Sequence, residues 1–192
     1  MIKVPRTYVR PGSPAFASLF NDFTGEAFRL ETLQAYSEPE EDGPRRQFEA
    51  GQRVGDDPGT LAWVKWLTSG RAAGKTVARV HVLTTPISEY ARFELAYYQP
   101  GLSAGEDIRI IPVPAGEWPA GLPGPGGDFW LFRDTDGTGR VLHMEYSEDG
   151  AFTGAWLTTD PAEVAQAGRW RDIAMAAAIP LAEYTTTLPL AS

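Results

Sequence analysis

The chain lacks several residue types on which common active sites depend. It has no cysteine, which excludes disulfides, thiolate nucleophiles and zinc sites built on thiolates. It has two histidines, and only three of its 17 basic residues are lysines. No apolar run approaches the roughly 20 residues of a membrane-spanning helix, and the first residues do not resemble a signal peptide. These absences predict a cytoplasmic protein with no membrane contact, no bound metal and no other cofactor.

Apolar and turn-forming residues are abundant. Hydrophobic residues occupy 43% of the 192 positions, enough for one substantial core, so we expect a single domain over residues 1–192. The 20 glycines and 16 prolines predict many turns. A net charge of −8 gives a surface that repels phosphate groups, so direct binding of nucleic acid is not expected.

The first part of the chain, residues 13–70, is predicted to form a helical cap with one strand. Ser13 begins a helix, and apolar residues at helical spacing extend the pattern to Tyr36, with a break near Gly25. Residues 37–46 are polar and predict an exposed loop.

The cap is predicted to end with a second helix. A short strand is expected from Phe48, after which Asp57 caps a helix that stops at Gly70. The alternation of residues 76–83 then predicts the first strand of the sheet core. We place that core over residues 76–182.

The core begins with a strand, helix, strand unit. Ser88 caps its helix, and the strand in "AGEDIRIIPV" should run parallel to residues 76–83. A loop rich in proline and glycine follows over residues 114–127. The segments "DFWLFRD", "GRVLHMEY" and "AFTGAWL" then predict an antiparallel meander, and Asp160 opens a C-terminal helix. The expected fold is therefore an α/β domain with a mixed central sheet flanked by helices.

Two resemblances accompany these patterns. The segments "FRLETLQAY", "RVHVLTTPISEYARFEL", "AGEDIRII", "DFWLFRD" and "WRDIAMAAAIPLAEY" resemble an uncharacterised actinobacterial family encoded beside helix-turn-helix regulators. The layout of residues 88–182 is similar to the phospholipase D-like fold, with a strand, a loop, a hairpin and a helix opened by "TTDPAEV". The first resemblance implies a link to a regulator but no activity.

The phospholipase D-like resemblance implies a histidine nucleophile, a lysine two residues later and a further acid that orients them. His143 takes the first position, but Glu145 stands where lysine is expected and Gly150 where the acid is expected. His81 is followed two places on by Leu83. Because a carboxylate repels a phosphodiester, the site is degenerate, and we favour a protein that is not an enzyme.

Strand alternation could still bring several polar residues to one side of the sheet. As a ligand site they would hold an anion on the arginines and use a histidine for proton transfer. As structural residues they would be satisfied polar groups at strand ends. The set comprises Arg79, His81, Arg109, His143 and Glu145.

A second set of charges spans the predicted helix and the next strand. Arg92 and Glu94 lie on the helix, and Glu106 and Asp107 precede Arg109 on the strand. Ion pairs that fix the turn are one interpretation. Ligand binding by Arg79, Arg92, Glu94 and Arg109 is the other, with Glu106 and Asp107 exposed for a partner.

Trp118 lies in the loop of residues 114–127. A large apolar side chain there either folds back onto the core or is presented to a partner. We expect it to contribute to partner binding together with Glu106 and Asp107.

The preferred function is therefore that of an accessory or regulatory protein that binds a protein partner, such as a helix-turn-helix regulator. The acidic surface suits a basic partner surface. The alternative is a small-molecule-binding protein or an enzyme that acts on an anionic, phosphorylated metabolite through His81, His143 and Glu145. A homodimer through "AFTGAWL" as an edge strand is compatible with either, with Gly154 marking a bulge or a close approach.

Overall fold

The computed structural model describes residues 4–188 and arranges them around an eight-stranded sheet. The strands lie in the order β1-β7-β6-β5-β2-β3-β4-β8. Their bounds are β1 Thr7–Val9, β2 Glu26–Glu31, β3 Thr76–Thr85, β4 Asp107–Pro114, β5 Phe129–Arg133, β6 Gly139–Tyr146, β7 Phe152–Thr158 and β8 Ile179–Pro180.

Helices cover both faces of the sheet. Their bounds are α1 Pro14–Leu19, α2 Asp42–Glu49, α3 Pro58–Ala72, α4 Glu89–Tyr97, α5 Gln99–Ser103, α6 Pro161–Ala177 and α7 Leu181–Thr186, with a 3-10 turn at Pro39–Glu41. The side-chain oxygens of the four predicted caps, Ser13, Asp57, Ser88 and Asp160, accept hydrogen bonds from backbone N–H groups in the first turns of α1, α3, α4 and α6.

The predicted fold class is confirmed. Strands β2, β3 and β4 run parallel, and β5, β6 and β7 form the expected antiparallel meander, so the sheet is mixed. The C-terminal helix α6 begins directly after its predicted cap. The sheet takes strands from both predicted parts of the chain, since β2 lies between β3 and β5.

The two faces of the sheet carry separate cores. On the first, which we call the α6 face, Phe28, Leu30 and Val80 pack against helix α6. On the second, the α3 face, Ala27 and Val77 pack against α1 and α3. Helices α4 and α7 pack on this second face nearer the β4 edge.

The predicted helical arm up to Tyr36 is wrong beyond Gly25, because residues 26–31 form strand β2. Phe28 and Leu30 recur at a spacing of two and point to the α6 face, while Arg29 and Glu31 point to the other. With strands on both sides, β2 is buried on both faces, and tertiary pairing overrides the weak helical pattern.

Three further local predictions are wrong. The expected loop of residues 37–46 contains the 3-10 turn and most of α2, and Phe48 lies in the last turn of α2 instead of starting a strand. The predicted edge strand β7 is not at the edge, because β1 pairs with it. Gly154 does mark a close approach, since a Cβ there would collide with the Tyr8 hydroxyl. Among residues 4–188, none of the helices has the length and apolar character needed to cross a bilayer.

Candidate functional site

The site begins with the register of two parallel strands. Arg29 of β2 lies opposite Arg79 of β3, and Glu31 lies opposite His81. All four side chains point to the α3 face, because strand neighbours alternate between faces. A row of two cations, a carboxylate and an imidazole therefore lies in the interior of the protein, near the carboxyl end of β2.

Arg29 is held by acids and a tyrosine. Its Nη2 lies 2.9 Å from Asp128 Oδ2 and donates to the Tyr146 hydroxyl at 2.7 Å, and its Nε lies 3.5 Å from Glu31 Oε1. Burial acts to lower the pKa of Arg29, but Tyr146, Asp128 and Glu31 outweigh burial and raise it. The guanidinium is therefore a fixed positive charge.

Arg79 is neutralised in the same way. It contacts Glu31 Oε1 and Glu106 Oε1, each at 2.9 Å, and its guanidinium lies 4.8 Å from the centre of the Tyr98 ring. Trp63 Nε1 donates to the second oxygen of Glu106 at 2.8 Å. Burial works against the charge, yet Glu106 and Glu31 raise the pKa of Arg79.

Asp128 ties the long loop of residues 114–127 to this row. It accepts a hydrogen bond from the Thr32 backbone N–H at 2.9 Å and another from the Tyr36 hydroxyl at 2.7 Å. The Thr32 hydroxyl in turn accepts from the Gly126 N–H at 2.9 Å. The segment after β2 and the segment before β5 are thus joined by one buried carboxylate.

A second group of contacts surrounds the hydroxyl of Tyr98, which lies between α4 and α5. This hydroxyl lies 2.8 Å from Glu31 Oε2, 3.2 Å from Glu94 Oε1 and 3.1 Å from His81 Nδ1. The Nε2 atom of His81 donates to the Leu33 carbonyl at 2.8 Å, since a carbonyl only accepts. Burial lowers the pKa of His81, so the neutral ring presents Nδ1 as an acceptor.

Glu31 and Glu94 differ in protonation state, although the Tyr98 hydroxyl lies within hydrogen-bonding distance of both. Burial would raise the pKa of Glu31, but Arg79 and Arg29 overcome burial and hold that pKa at about 2. Burial raises the pKa of Glu94 well above its usual value, and the nearby Glu31 and Glu41 raise it further. Glu31 is therefore a carboxylate, and Glu94 is a carboxylic acid.

The hydrogen-bond count agrees with a protonated Glu94. The Tyr98 hydroxyl carries one hydrogen, and three acceptors, Glu31, His81 and Glu94, surround it. If Glu94 is protonated, its own O–H group is a donor, and only Glu31 and His81 compete for the hydrogen of the Tyr98 hydroxyl. The geometry and the pKa direction thus lead to the same charge state.

These groups line a cavity of about 260 Å³. That volume is large enough for roughly nine water molecules or one small metabolite. Its floor is the row on β2 and β3, and its walls come from α3, α4 and α5. The lining comprises Arg29, Glu31, Tyr36, Glu38, Glu41, Gly59, Thr60, Trp63, Arg79, Glu94, Tyr97, Tyr98, Gly101, Glu106 and Tyr146.

Glu38 and Glu41 line the cavity from the segment around the 3-10 turn. Tyr90 donates its hydroxyl hydrogen to Glu41 Oε2 at 2.8 Å. Burial raises the pKa of Glu41 to about 7, with a further contribution from the charge of Glu38. Burial and the charge of Glu40 likewise raise the pKa of Glu38.

Two buried atoms of this site have no hydrogen-bond partner. They are Arg29 Nη1, a donor, and Glu94 Oε2, which lies 3.5 Å from His81 Nδ1. Both residues line the cavity, and both are at least 96% buried, with exposures of 3% and 4%. A buried polar atom without a partner costs about 1 to 3 kcal/mol, so two residues of the cavity lining each carry an unused hydrogen-bonding atom, one a donor and one an acceptor.

Comparison with protein families identifies the chain. The model of a domain of unknown function, DUF6879, matches residues 14–186. The chain belongs to this family. The expectation of a family without an assigned activity is thereby confirmed, whereas the actinobacterial source and the neighbouring regulators remain predictions.

The chain was also compared with curated proteins and with solved structures. The search of curated proteins returned no match. Among solved structures, a phospholipase D family member, Nuc from Salmonella typhimurium, is similar, with a TM-score of 0.43 and 10% identity over 93% of this chain and 97% of that chain.

The five polar residues expected on one side of the sheet are divided between its faces. Arg79 and His81 both point to the α3 face, where Arg79 lines the cavity and His81 is fully buried. Arg109 lies opposite Val80, and His143 lies opposite Phe129, so both point to the α6 face together with Glu145. The predicted common pocket is wrong for these last three residues.

On the α6 face these residues make ordinary structural contacts. His143 Nε2 lies 3.3 Å from Glu163 Oε2, and burial, followed by the charge of Arg6, lowers the pKa of His143. Glu145 accepts from Trp156 Nε1 at 2.8 Å. Arg109 pairs with Asp107 at 2.9 Å. In this DUF6879 chain the His143 and Glu145 pair lies outside the cavity.

The remaining predicted residues have mixed outcomes. Glu94 lines the cavity, so its predicted role in ligand binding stays a prediction, whereas Glu106 is buried there with Arg79 and is not exposed for a partner. Arg92 does not line the cavity, and its charge acts on Tyr184 of α7. Trp118 folds back, since its Nε1 donates to the Pro123 carbonyl at 2.7 Å and its ring packs on the α6-face core.

Several residues of the site were missed from the sequence, namely Arg29, Glu31, Glu41, Asp128 and Tyr146. The signal for the first two was the alternation in "EAFRLE", where Arg29 and Glu31 share one face of a strand. Asp128 directly precedes a run of four buried apolar residues, which is where a buried acid needs a basic partner. Within residues 4–188, no three His, Asp or Glu side chains are arranged to hold a metal ion.

Proposed function

We propose that this DUF6879 protein binds a small polar organic molecule in the cavity between β2, β3, α3 and α4. The single observation that carries the proposal is the pair of buried atoms without partners, Arg29 Nη1 and Glu94 Oε2, at one cavity. A ligand that accepts from the first and pairs with the second would satisfy both.

Stability alone does not account for the buried charge network. Buried ion pairs often stabilise a fold less than apolar residues of similar volume. Here two arginines, Glu31, Glu106 and Asp128 are buried together beneath the cavity. Charged groups gathered in a concave site, with pKa values moved in opposite directions, are typical of functional sites.

Binding can be tested with a panel of small amines, alcohols, sugars, carboxylates and phosphates, read by NMR on the six tryptophan indole N–H groups. Trp63 lines the cavity, whereas Trp118 and Trp156 do not and serve as internal controls. We expect at least one class to shift the Trp63 signal saturably and to raise the melting temperature, because a ligand of the folded state stabilises it. A panel that leaves Trp63 unmoved contradicts the proposal.

The anionic metabolite expected as the alternative ligand receives less support. It relied on His143 and Glu145, which lie on the other face of the sheet from Arg79. Both cavity arginines already contact acids. We therefore make no proposal of phosphoryl chemistry.

We also propose, as the sequence suggests, that the protein acts in the cytoplasm of an actinobacterium as a regulatory partner of a helix-turn-helix protein. The net charge of −8 supports association with a basic surface. The test is light scattering of the purified chain with the regulator encoded beside its gene, at low and high salt. No complex at low salt would exclude this role.

A further inference from the structure

We infer that the ligand is a small organic cation, a protonated amine or guanidinium compound that also carries a hydrogen-bond acceptor. Glu94, with Glu41 and Glu38, would bind the cation, and Arg29 Nη1 would bind the acceptor. This inference rests on the proposed function, since it names the chemical class of the molecule bound in that cavity.

The first argument is the excess of acids. Five glutamates and two arginines line the cavity. Three acids, namely Glu31, Glu106 and Asp128, contact the two arginines. The other three glutamates, Glu38, Glu41 and Glu94, have no arginine or lysine within ion-pairing distance among the described residues. Because Glu94 is a carboxylic acid, the negative field that attracts a cation comes from the three acids that outnumber the two arginines, together with the ionised fraction of Glu38 and Glu41.

The second argument is the position of Glu94. Its side chain is buried, and Oε2 has no hydrogen-bond partner although it belongs to a cavity-lining residue. A cationic N–H group placed in the cavity would supply that partner and would take the place of the proton on Glu94. The charged and titratable groups that face Glu94 are Glu31, Glu41, Arg79, His81, Tyr90 and Tyr98.

The third argument concerns the aromatic walls and the size of the cavity. Tyr36, Trp63, Tyr97 and Tyr146 line it, and aromatic faces attract organic cations. A volume of about 260 Å³ is large enough to hold a small organic cation. The absence of a metal-binding cluster among residues 4–188 favours an organic cation over a metal ion.

The fourth argument is the free donor on Arg29. A simple amine would leave Arg29 Nη1 without a partner, whereas an amino alcohol or amino acid would satisfy both atoms. Hydrogen bonds to charged groups contribute about 1.5 to 3 kcal/mol each, so a ligand with both groups should bind more tightly than one with either alone.

The test compares matched probes that differ only at one end. Ethanolamine, aminopropanol and aminobutanol are titrated against the full chain by NMR, beside the corresponding diols and hydroxy acids. We expect the amines to shift the Trp63 indole signal saturably and the diols and hydroxy acids to leave it unmoved. Diols or hydroxy acids that bind as well as the amines overturn the inference while the proposed function stands.

The matched variants are Glu94→Gln at the site and Glu148→Gln in the exposed turn after β6. Gln keeps the shape of a protonated Glu94, so the variant should fold, but it cannot become negative. We expect amine affinity to fall about tenfold or more in Glu94→Gln, because a charge-assisted hydrogen bond is lost, and to be unchanged in Glu148→Gln. Equal affinity in all three proteins overturns the inference. If neither these probes nor the wider panel move Trp63, the inference and the proposed function both fail.

Discussion

The two faces of the sheet differ in chemistry towards the carboxyl end of β2, where it pairs with the middle of β3. On the α6 face Phe28, Leu30 and Val80 form a dry apolar core. On the α3 face, at the very next residues, Arg29 and Glu31 begin a network of buried charges. The same strands therefore carry an apolar core on one face and a buried charge network on the other.

The α6 face therefore contributes mainly to the stability of the fold, whereas we assign ligand binding to the α3 face. Burial of apolar side chains stabilises the fold directly, by about 25 cal/mol per Å² removed from water. Burial of charges does so only where partners and hydrogen bonds offset their lost hydration. On the α3 face, Glu31 has two arginine partners that offset its lost hydration. Glu94 and Glu41 have no such partner among the described residues, and we place the ligand beside them.

The largest effect is expected for Glu31→Gln, which leaves two buried arginines without their shared carboxylate. Breaking a buried pair costs about 3 to 5 kcal/mol, so the free energy of unfolding should fall by that amount at pH 7. Since the pKa of Glu31 is lowered to about 2, its contribution is complete above pH 4.5 and is lost as the pH falls towards 2. Urea unfolding of both proteins at several pH values measures the difference.

Leu30→Ala is the matched control on the other face. It removes a fully buried side chain and should cost about 2 to 5 kcal/mol, because it leaves a cavity. Its cost should not change between pH 7 and pH 3.5, whereas the cost of Glu31→Gln should shrink. If both costs follow the same pH dependence, Glu31 is not the ionised group that we describe.

The apolar half of this comparison could largely be predicted from the sequence. The strand of residues 76–83, the meander and the capped helices have strong local signals, namely alternation, turn residues and N-caps. Strand β2 could not be predicted as easily, because its short run gains its stability from β3 and β5 on either side. Long-range pairing of this kind leaves little trace in local sequence.

The charge network of the α3 face could not be predicted without strand β2, which the sequence analysis missed. Arg79, His81 and Glu94 were identified as candidates, but their partner Glu31 was assigned to a helix, so no network could be assembled. His143 and Glu145 were added to the same site because two strands of one sheet can share a face. Which face each strand presents depends on register, and register is set by distant partners.

The next largest effect on stability is expected for Glu94→Gln, which should stabilise the protein, whereas Glu31→Gln should destabilise it. Because the pKa of Glu94 is raised by burial and by Glu31, wild-type protein loses stability as the pH rises above 4.5. Gln removes that loss, so the variant should melt at a higher temperature than wild type at pH 7 and at the same temperature below pH 4.5. Calorimetry at both pH values tests this, and a variant less stable than wild type at pH 7 would show that Glu94 is ionised.

The smallest effect is expected for Glu41→Gln, in which the Tyr90 hydroxyl keeps an oxygen acceptor. Glu41 has a pKa of about 7 when folded, so its charge reduces stability progressively between pH 4.5 and 7. Solvent screening of this partly exposed carboxyl reduces the effect of its pKa shift, so Gln should stabilise the protein by about 1 to 2 kcal/mol at pH 8 and leave it unchanged below pH 4.5. Glu148→Gln, measured alongside by calorimetry, should change little at either pH. If Glu41→Gln instead destabilises the protein at pH 8, a cationic partner must already hold Glu41 ionised. If it stabilises the protein and also weakens amine binding, Glu41 is a residue whose charge serves the ligand at the expense of the fold.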